Sequence, residues 1–414
     1  MSSKTLTKYE YGIHARNAVW ASFFVLGITG MAWIPRIPEI KSSLGLSDGQ
    51  FGLLLLASTF GAVPGAQLSG RIVHMYSSKI VVRISGITLP LGVAIMGMAE
   101  SVPILALGLF ICGFSVSFMD VALNSQAIAI EQHTQGRWMS TFHGLWSIGA
   151  FCAGLIGGLV ANLVTPETNL LVMSALSFLS YLYITRYLLP PDLDGHGGEE
   201  GTQTSSKVSF KGKEAMILWG IGIGLICALV PEGGAYDWSG ILLQDHMNIG
   251  KGANAAAGVV FSLAMIASRL LGDKFFELWG HVNTVKYGAI FGGGIWGLSI
   301  VISIPLAQSH QMLSLVIVCI GFGAAGFGIG PFFPAFNLAA ASIPGVAPSV
   351  GLARIGMIAM ASYFAGPTII GGLAELTSLP IAFAFPVLLM MGAALQTRFI
   401  KVNRLSSEKQ AMMS

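Results

Sequence analysis

The sequence predicts an all-α integral membrane protein with twelve transmembrane helices in two six-helix halves. Three observations carry that prediction. Of 414 residues, 54% are hydrophobic and only 10% are charged, with a mean hydropathy of +0.73; soluble domains carry about 25% charged residues. Apolar windows of about 20 residues, the length that crosses a bilayer, recur twelve times. One polar stretch, 190–213, divides them six and six.

The first six windows fall at 17–40, 49–70, 80–99, 103–131, 138–162 and 168–189. The first of them begins at Asn17 and is followed by many more, which marks a span and not a cleaved signal peptide. Residues 190–213, PPDLDGHGGEEGTQTSSKVSFKGK, are rich in Pro, Gly, Ser and charge with no apolar period, the pattern of a solvated linker. The second six windows fall at 215–243, 252–272, 284–305, 310–340, 349–372 and 378–400. The organisation is therefore an N-terminal bundle (1–189), a cytoplasmic linker (190–213) and a C-terminal bundle (214–414).

Orientation follows from the bias of Lys and Arg toward the cytoplasmic side. With both termini inside, 18 of the 22 basic residues, Arg269 among them, lie on that side. Only Arg36, Lys41 and Lys251 lie opposite, and Arg354 falls inside a span. The halves also repeat weakly. GLWSIGAFCAG (144–154) aligns with GMIAMASYFAG (356–366), and CGF (112–114) with IGF (320–322). Parallel repeats of this kind place a substrate site near midplane at the interface of the halves, exposed alternately to the two sides.

The most informative span is the fourth, ICGFSVSFMDVALNSQAIAIE (111–131). It holds Asp120 deep in apolar surroundings, where an ionised acid costs at least ~2.5–3.5 kcal/mol on insertion scales. Asn124 follows one turn later, and Glu131 returns to the same stripe after eleven residues at about 100° each. Such a stripe faces a protein interior or a wet cavity rather than lipid. A carboxyl that is neutral when protonated and charged when hydrated suits a coupled proton, and Asp120 is the candidate. Asn124 then orients a substrate hydroxyl or holds the acid. Glu131, at the inner end of the helix, is expected to bind Arg137 or the following loop.

The seventh span carries PEGGAYDWSG (231–240). Gly233 and Gly234 after Pro231 should loosen the outer half of that helix and free carbonyls toward a cavity. Glu232 is a second proton-coupling candidate and Asp237 a substrate-binding one. Trp238 either stacks on a sugar face or joins an interfacial belt. His143, one turn into the fifth span, titrates near neutrality and is either a proton relay or a packing residue. Trp33, Asn337 and Arg354 complete the substrate-binding candidates, Arg354 as an anchor for an anion or as a residue snorkelling to headgroups. Arg36 and Glu39 are expected at the outer interface. Two prolines in GFGIGPFFPAFN (326–337) should bend the tenth helix.

Other chemistries lack their motifs. There is no GxxxxGK[ST], GxSxG, HExxH or CxxC, so neither ATP drive nor an enzyme is indicated. Cys112, Cys152, Cys227 and Cys319 sit in apolar spans without metal or disulfide spacing, and no cofactor or metal is expected. A net charge of +3 without a basic face does not suggest nucleic-acid binding.

The chain resembles the major facilitator superfamily over essentially its whole length. The family's loop signature after the second helix appears in degenerate form as GRIVHMYSSK (70–79), keeping Gly70, Ile72 and Lys79, with DKFFELWGH (273–281) as its counterpart. AGLIGG (153–158) lacks the proline of the drug-exporter signature, and GPTIIGG (366–372) is typical of the eleventh helix. Within that superfamily the chain is similar to the fucose-permease-like branch and its uncharacterised inner-membrane members. Asp120-Val-Ala-Leu-Asn124-Ser stands where fucose permeases carry Glu-Thr-Ala-Ala-Asn-Pro. The resemblance implies that the fourth-helix acid serves proton-coupled sugar uptake. It also departs: Ile34-Pro35-Arg36-Ile37-Pro38 lacks the first-helix acid of that branch. The uncharacterised members share His143, Gly144, Ser147 and Gly149, and Glu232, Gly233, Asp237 and Trp238.

The sequence thus predicts a secondary transporter moving a small polar solute, a sugar or sugar derivative, with protons by alternating access. It is expected to be monomeric and multi-pass in a bacterial inner membrane. Proton-driven export of an amphipathic metabolite and ligand sensing without flux are the two alternatives.

Overall fold

The computed structural model describes residues 8–136, 138–194, 213–343, 348–359 and 361–411. Nine helical runs among them are long and apolar enough to cross a membrane. The helices cover the windows read from hydropathy. They are α1 (Lys8–Gly30), α2 (Ile37–Ser43), α3 (Asp48–Leu54), α4 (Leu56–Met75), α5 (Ser78–Gly97), α6 (Val102–Thr134), α7 (Met139–Val160) and α8 (Pro166–Ile184). After the linker come α9 (Lys213–Ile241), α10 (Ala256–Tyr287), α11 (Gly293–Leu306), α12 (Gln311–Ile329), α13 (Phe332–Ala341), α14 (Pro348–Ala359), α15 (Ala361–Leu376), α16 (Leu379–Ala382) and α17 (Ala384–Ala411).

The chain folds as two compact units, Met1–Leu46 with Leu54–Gln203, and Ser47–Leu53 with Thr204–Ser414. In the first unit α4 and α5 pack on α6, and α1 on α7. Small residues let backbones approach in lipid, and the α4–α6 crossing uses them. A Cβ on Gly113 would sit 1.9 Å from the Ser58 carbonyl oxygen. Gly113→Ala is therefore expected to destabilise by about 1–3 kcal/mol through overpacking, read by denaturant titration in detergent. Gly70→Ala, where a Cβ meets open space, is the control and should not destabilise.

In the second unit α10 packs on α12, and α9 is surrounded by α10, α12, α13, α14, α15 and α17. The eighth helix does not stop at residue 272, as its charges suggested. It runs on to a break at Gly280, whose φ of 73° suits a residue without a Cβ. Thr284 Oγ1 closes that turn, donating to the carbonyls of Phe275 at 3.1 Å and Gly280 at 2.9 Å. The tenth helix is interrupted between Ile329 and Phe332, at Gly330–Pro331, as the prolines predicted. The seventh is not loosened: α9 continues through Gly233–Gly234 to Ile241, and a π turn follows at Leu242–His246. Packing on several neighbours outweighs the glycine propensity there.

Two further expectations are corrected. The described part of the linker is solvated at Pro191 and Asp192 but not at its end. Asp194 is buried and accepts from Ser77 Oγ at 2.7 Å, Ser78 N at 2.8 Å and Ser78 Oγ at 2.7 Å. It supplies the carboxylate that the positive N-terminal end of α5 favours; residues 195–212 lie outside the described residues. Arg36 and Glu39 are not interfacial either. They form a 3.1 Å ion pair whose side chains are 0% and 8% exposed, and Arg36 Nη2 also donates to the Val164 carbonyl at 2.8 Å.

Candidate functional site

In the first unit α6 and α7 bring three of the predicted residues together. The Asn124 amide donates to the Asp120 carbonyl one turn back at 2.8 Å and also reaches the Asp120 carboxyl. With Nδ2 turned that way, Oδ1 faces α7, and His143 Nε2 lies 3.2 Å from it. An amide oxygen only accepts, so His143 carries its proton on Nε2. The Asp120 carboxyl also lies within electrostatic reach of the His143 ring. Asp120 and Asn124 are half-buried and His143 is exposed, so the acid, the amide and an accessible imidazole form one polar cluster. Phe23 of α1 packs against this end of α7, its ring 5.2 Å from His143 and stacked at 5.8 Å on Phe142.

Glu131 takes no part in that cluster. Its carboxylate accepts from the backbone N–H of Trp138 and, at 2.9 Å, of Met139, which satisfies donors at the start of α7. This is the loop contact expected from its position; Arg137 lies outside the described residues. Arg16 closes the same end of the unit, 4.4 Å above the Trp20 ring and 4.6 Å above Trp138.

In the second unit Glu232 meets a partner that sequence reasoning missed. Arg269, read from the sequence as part of the cytoplasmic flank, lies within α10, thirteen residues from Ala256 and eleven before the break at Gly280. At 1.5 Å per residue that is about 20 Å and about 16 Å from the two ends. Its Nη2 is 3.8 Å from Glu232 Oε1, the two side chains being 33% and 17% exposed. Tyr236, one turn beyond Glu232, feels both charges, and its hydroxyl accepts from Ser262 Oγ of α10 at 3.3 Å. The cue in the sequence was distance: Arg269 stands four residues before Asp273 and five before Lys274, and charge counting absorbed it into that group.

The other candidates are distributed over both units. Trp33 is buried where the first helix passes into a short 3-10 turn. Trp238 is fully buried, edge-on to Phe51 at 5.3 Å, and presents no open face for a sugar. Asp237, Asn337 and Arg354 are half-buried on α9, α13 and α14.

Comparison with known proteins gives these geometries a context. Residues 19–350 match the family model of the Major Facilitator Superfamily, and the chain belongs to that family of membrane transporters. It is 28% identical over 393 residues to an uncharacterized MFS-type transporter of Yersinia pestis, covering 94% of this chain and 96% of that one. It is 30% identical over 374 residues to an uncharacterized transporter of Sinorhizobium fredii, covering 89% and 93%. Among solved structures it is similar to a point mutant of the nucleoside transporter NupG, with a TM-score of 0.72, 14% identity and 94% and 99% of the chains covered. A bacterial homologue of the human lysosomal transporter Spinster, inward-facing and unoccupied, gives 0.69 at 15% identity, covering 95% and 98%. At those identities the two structures speak to the fold alone.

Proposed function

We propose that this transporter moves a small polar solute, of the sugar or sugar-derivative class, together with protons by alternating access. The observation that carries the reading is the cluster Asp120–Asn124–His143. An acid inside an apolar helix needs a reason to be there, and its place beside Asn124 and an exposed imidazole supplies one. Asp120 takes the proton, Asn124 holds the carboxyl and relays polarity, and His143 exchanges with water. Glu232 serves the second unit in the same capacity. Asn337, Arg354 and Asp237 contribute polar contacts to the solute, while Trp33 and Trp238 support the walls. The likeness to the fucose-permease-like branch supports a sugar over other small solutes. The chain works as a monomer in a bacterial inner membrane, with both termini cytoplasmic, as the Lys and Arg bias indicates.

Purified protein in vesicles, with an imposed pH gradient and a panel of radiolabelled sugars, sugar acids and nucleosides, tests this. Solute is expected to accumulate toward the alkaline side, and a protonophore should abolish the accumulation. Movement of solute against the proton current would show an antiporter and exporter. Binding without flux would show a receptor.

A further inference from the structure

We infer that the groove between α5 and α8 in the first unit, at the end where α5 begins, holds an anionic phospholipid whose phosphodiester sits between Arg83 and Arg186. The inference concerns the membrane around the protein and does not rest on the transported solute or on proton coupling.

The groove follows from how the two helices pack. A Cβ on Gly86 would lie 2.7 Å from the Tyr181 Cβ, and Ser174 Oγ donates to the Pro90 carbonyl at 2.6 Å. One flank of α5 is taken by α6, where Gly92 meets Cys112 and Ser78 accepts from Gln126. One flank of α8 is taken by α1, where Thr29 donates to Ser177. On the other flank of α5, Lys79, Arg83 and Ile87 stand about 20°, 60° and 100° around the helix from Gly86. On the matching flank of α8, Phe178 and Leu182 stand about 60° and 100° around from Tyr181. Ile87, Phe178 and Leu182 are all exposed.

The basic residues collect at one end of this groove. Lys79 Nζ donates to the carbonyls of Arg186 at 3.1 Å and Leu188 at 2.9 Å. That sets a cation on the negative end of α8 and brings the Arg186 backbone beside the first turn of α5. Arg83, one turn beyond Lys79, lies within its electrostatic reach, and both arginine side chains are exposed. Like charges four residues apart destabilise a helix, so an anion between them relieves the repulsion.

Among the described residues neither arginine meets a carboxylate. The acids nearest in the chain are Asp192, which is exposed, and Asp194, which is buried on Ser77 and Ser78. Set against Lys79, Arg83 and Arg186, these two leave the end of the groove positive. The end of α4 brings Arg71 and His74 and no acid. On α6, Glu131 is held by the backbone of Trp138 and Met139, and Asp120 lies eleven residues further along, ~16 Å.

Sign and shape together select the occupant. A guanidinium can hold two phosphate oxygens at once, and two of them suit a single phosphodiester. Beyond it, Ile87, Phe178 and Leu182 form an apolar wall that acyl chains cover and a soluble phosphate leaves bare. A choline headgroup would bring its own cation to a site already positive, so phosphatidylglycerol is favoured over phosphatidylcholine.

Lipid titration of the purified full chain in dodecyl maltoside tests the site, read as melting temperature and as lipid retained in native mass spectrometry. The probes are phosphatidylglycerol and phosphatidylcholine with identical palmitoyl and oleoyl chains, with glycerol phosphate as the soluble headgroup. One basic residue near an anionic lipid surface is worth about fivefold in affinity. Two therefore predict roughly 30-fold tighter binding of phosphatidylglycerol, and a rise in melting temperature at lower lipid concentration. Arg83→Gln/Arg186→Gln should melt like the wild type in phosphatidylcholine and lose the preference. Lys274→Gln/Lys286→Gln, at two exposed positions of α10, removes the same charge elsewhere and should keep it. Equal binding of the two lipids, a preference that persists in Arg83→Gln/Arg186→Gln, or an equal loss in the α10 variant would overturn the inference. So would stabilisation by glycerol phosphate alone, which would point to a free phosphate. The comparison of lipids on the wild type stands even if the arginine variant folds poorly.

Discussion

Asp120→Asn is expected to abolish accumulation of solute driven by a pH gradient while leaving exchange of labelled for unlabelled solute across the membrane intact. The amide keeps the size and hydrogen-bonding capacity of a protonated carboxyl, and Asn124 can still reach it, but it carries no proton through a cycle. A gradient of one pH unit supplies about 1.4 kcal/mol per proton, a tenfold concentration ratio. In the variant that ratio should fall to one. Persistent exchange would show that the protein still folds, binds and rocks, so the defect lies in coupling. His143→Gln is a milder case. It preserves a donor toward Asn124 Oδ1 but cannot titrate, and should slow uptake and flatten its pH profile without erasing the final ratio. If Asp120→Asn accumulates solute as the wild type does, the fourth-helix acid is structural and the proton travels elsewhere.

Hydropathy revealed most of the fold because the bilayer imposes one strong rule. Every backbone polar group must be satisfied within its own segment, so a run of about 20 apolar residues reads as a helix whatever its neighbours do. The twelve windows and the interrupted tenth helix were visible for that reason. Departures occur where neighbours decide. Gly233–Gly234 has low helix propensity, yet α9 passes straight through it, held by the helices packed along its length. Charged residues 273 and 274 looked like a loop, although the helix continues to a turn that only the backbone of Gly280 reveals.

The candidate site divides along the same line. Asp120 and Asn124 share a helical stripe, which periodicity exposes directly. That His143 would close on Asn124 is a tertiary fact between α6 and α7, and nothing in a spacing of 19 residues encodes it. Arg269 makes the same point: its place near Asp273 and Lys274 in the sequence says nothing of the acid it meets on α9. Arg36 was misread similarly. Long charged side chains near helix ends ordinarily snorkel, but this one turns inward to Glu39 and Val164.

That inward turn has a large expected consequence for stability. Arg36→Met leaves Glu39 without this cation in a pocket 8% exposed and removes the donor to the Val164 carbonyl that ties the turn after α1 to the connection between α7 and α8. Breaking a buried pair by deleting one partner costs about 3–5 kcal/mol, a large part of the roughly 5–15 kcal/mol that holds a typical domain together. The variant should lose thermal stability in detergent and give a low yield of folded protein. The double variant Arg36→Met/Glu39→Leu removes both charges, and replacing a buried pair with apolar residues of similar volume is often neutral or stabilising. It should therefore recover most of the loss, apart from the share owed to Val164. A single variant as stable as the wild type would mean that water reaches the pair and screens it. If the double variant is no better than the single, the packing of the fully buried arginine stem matters more than its charge.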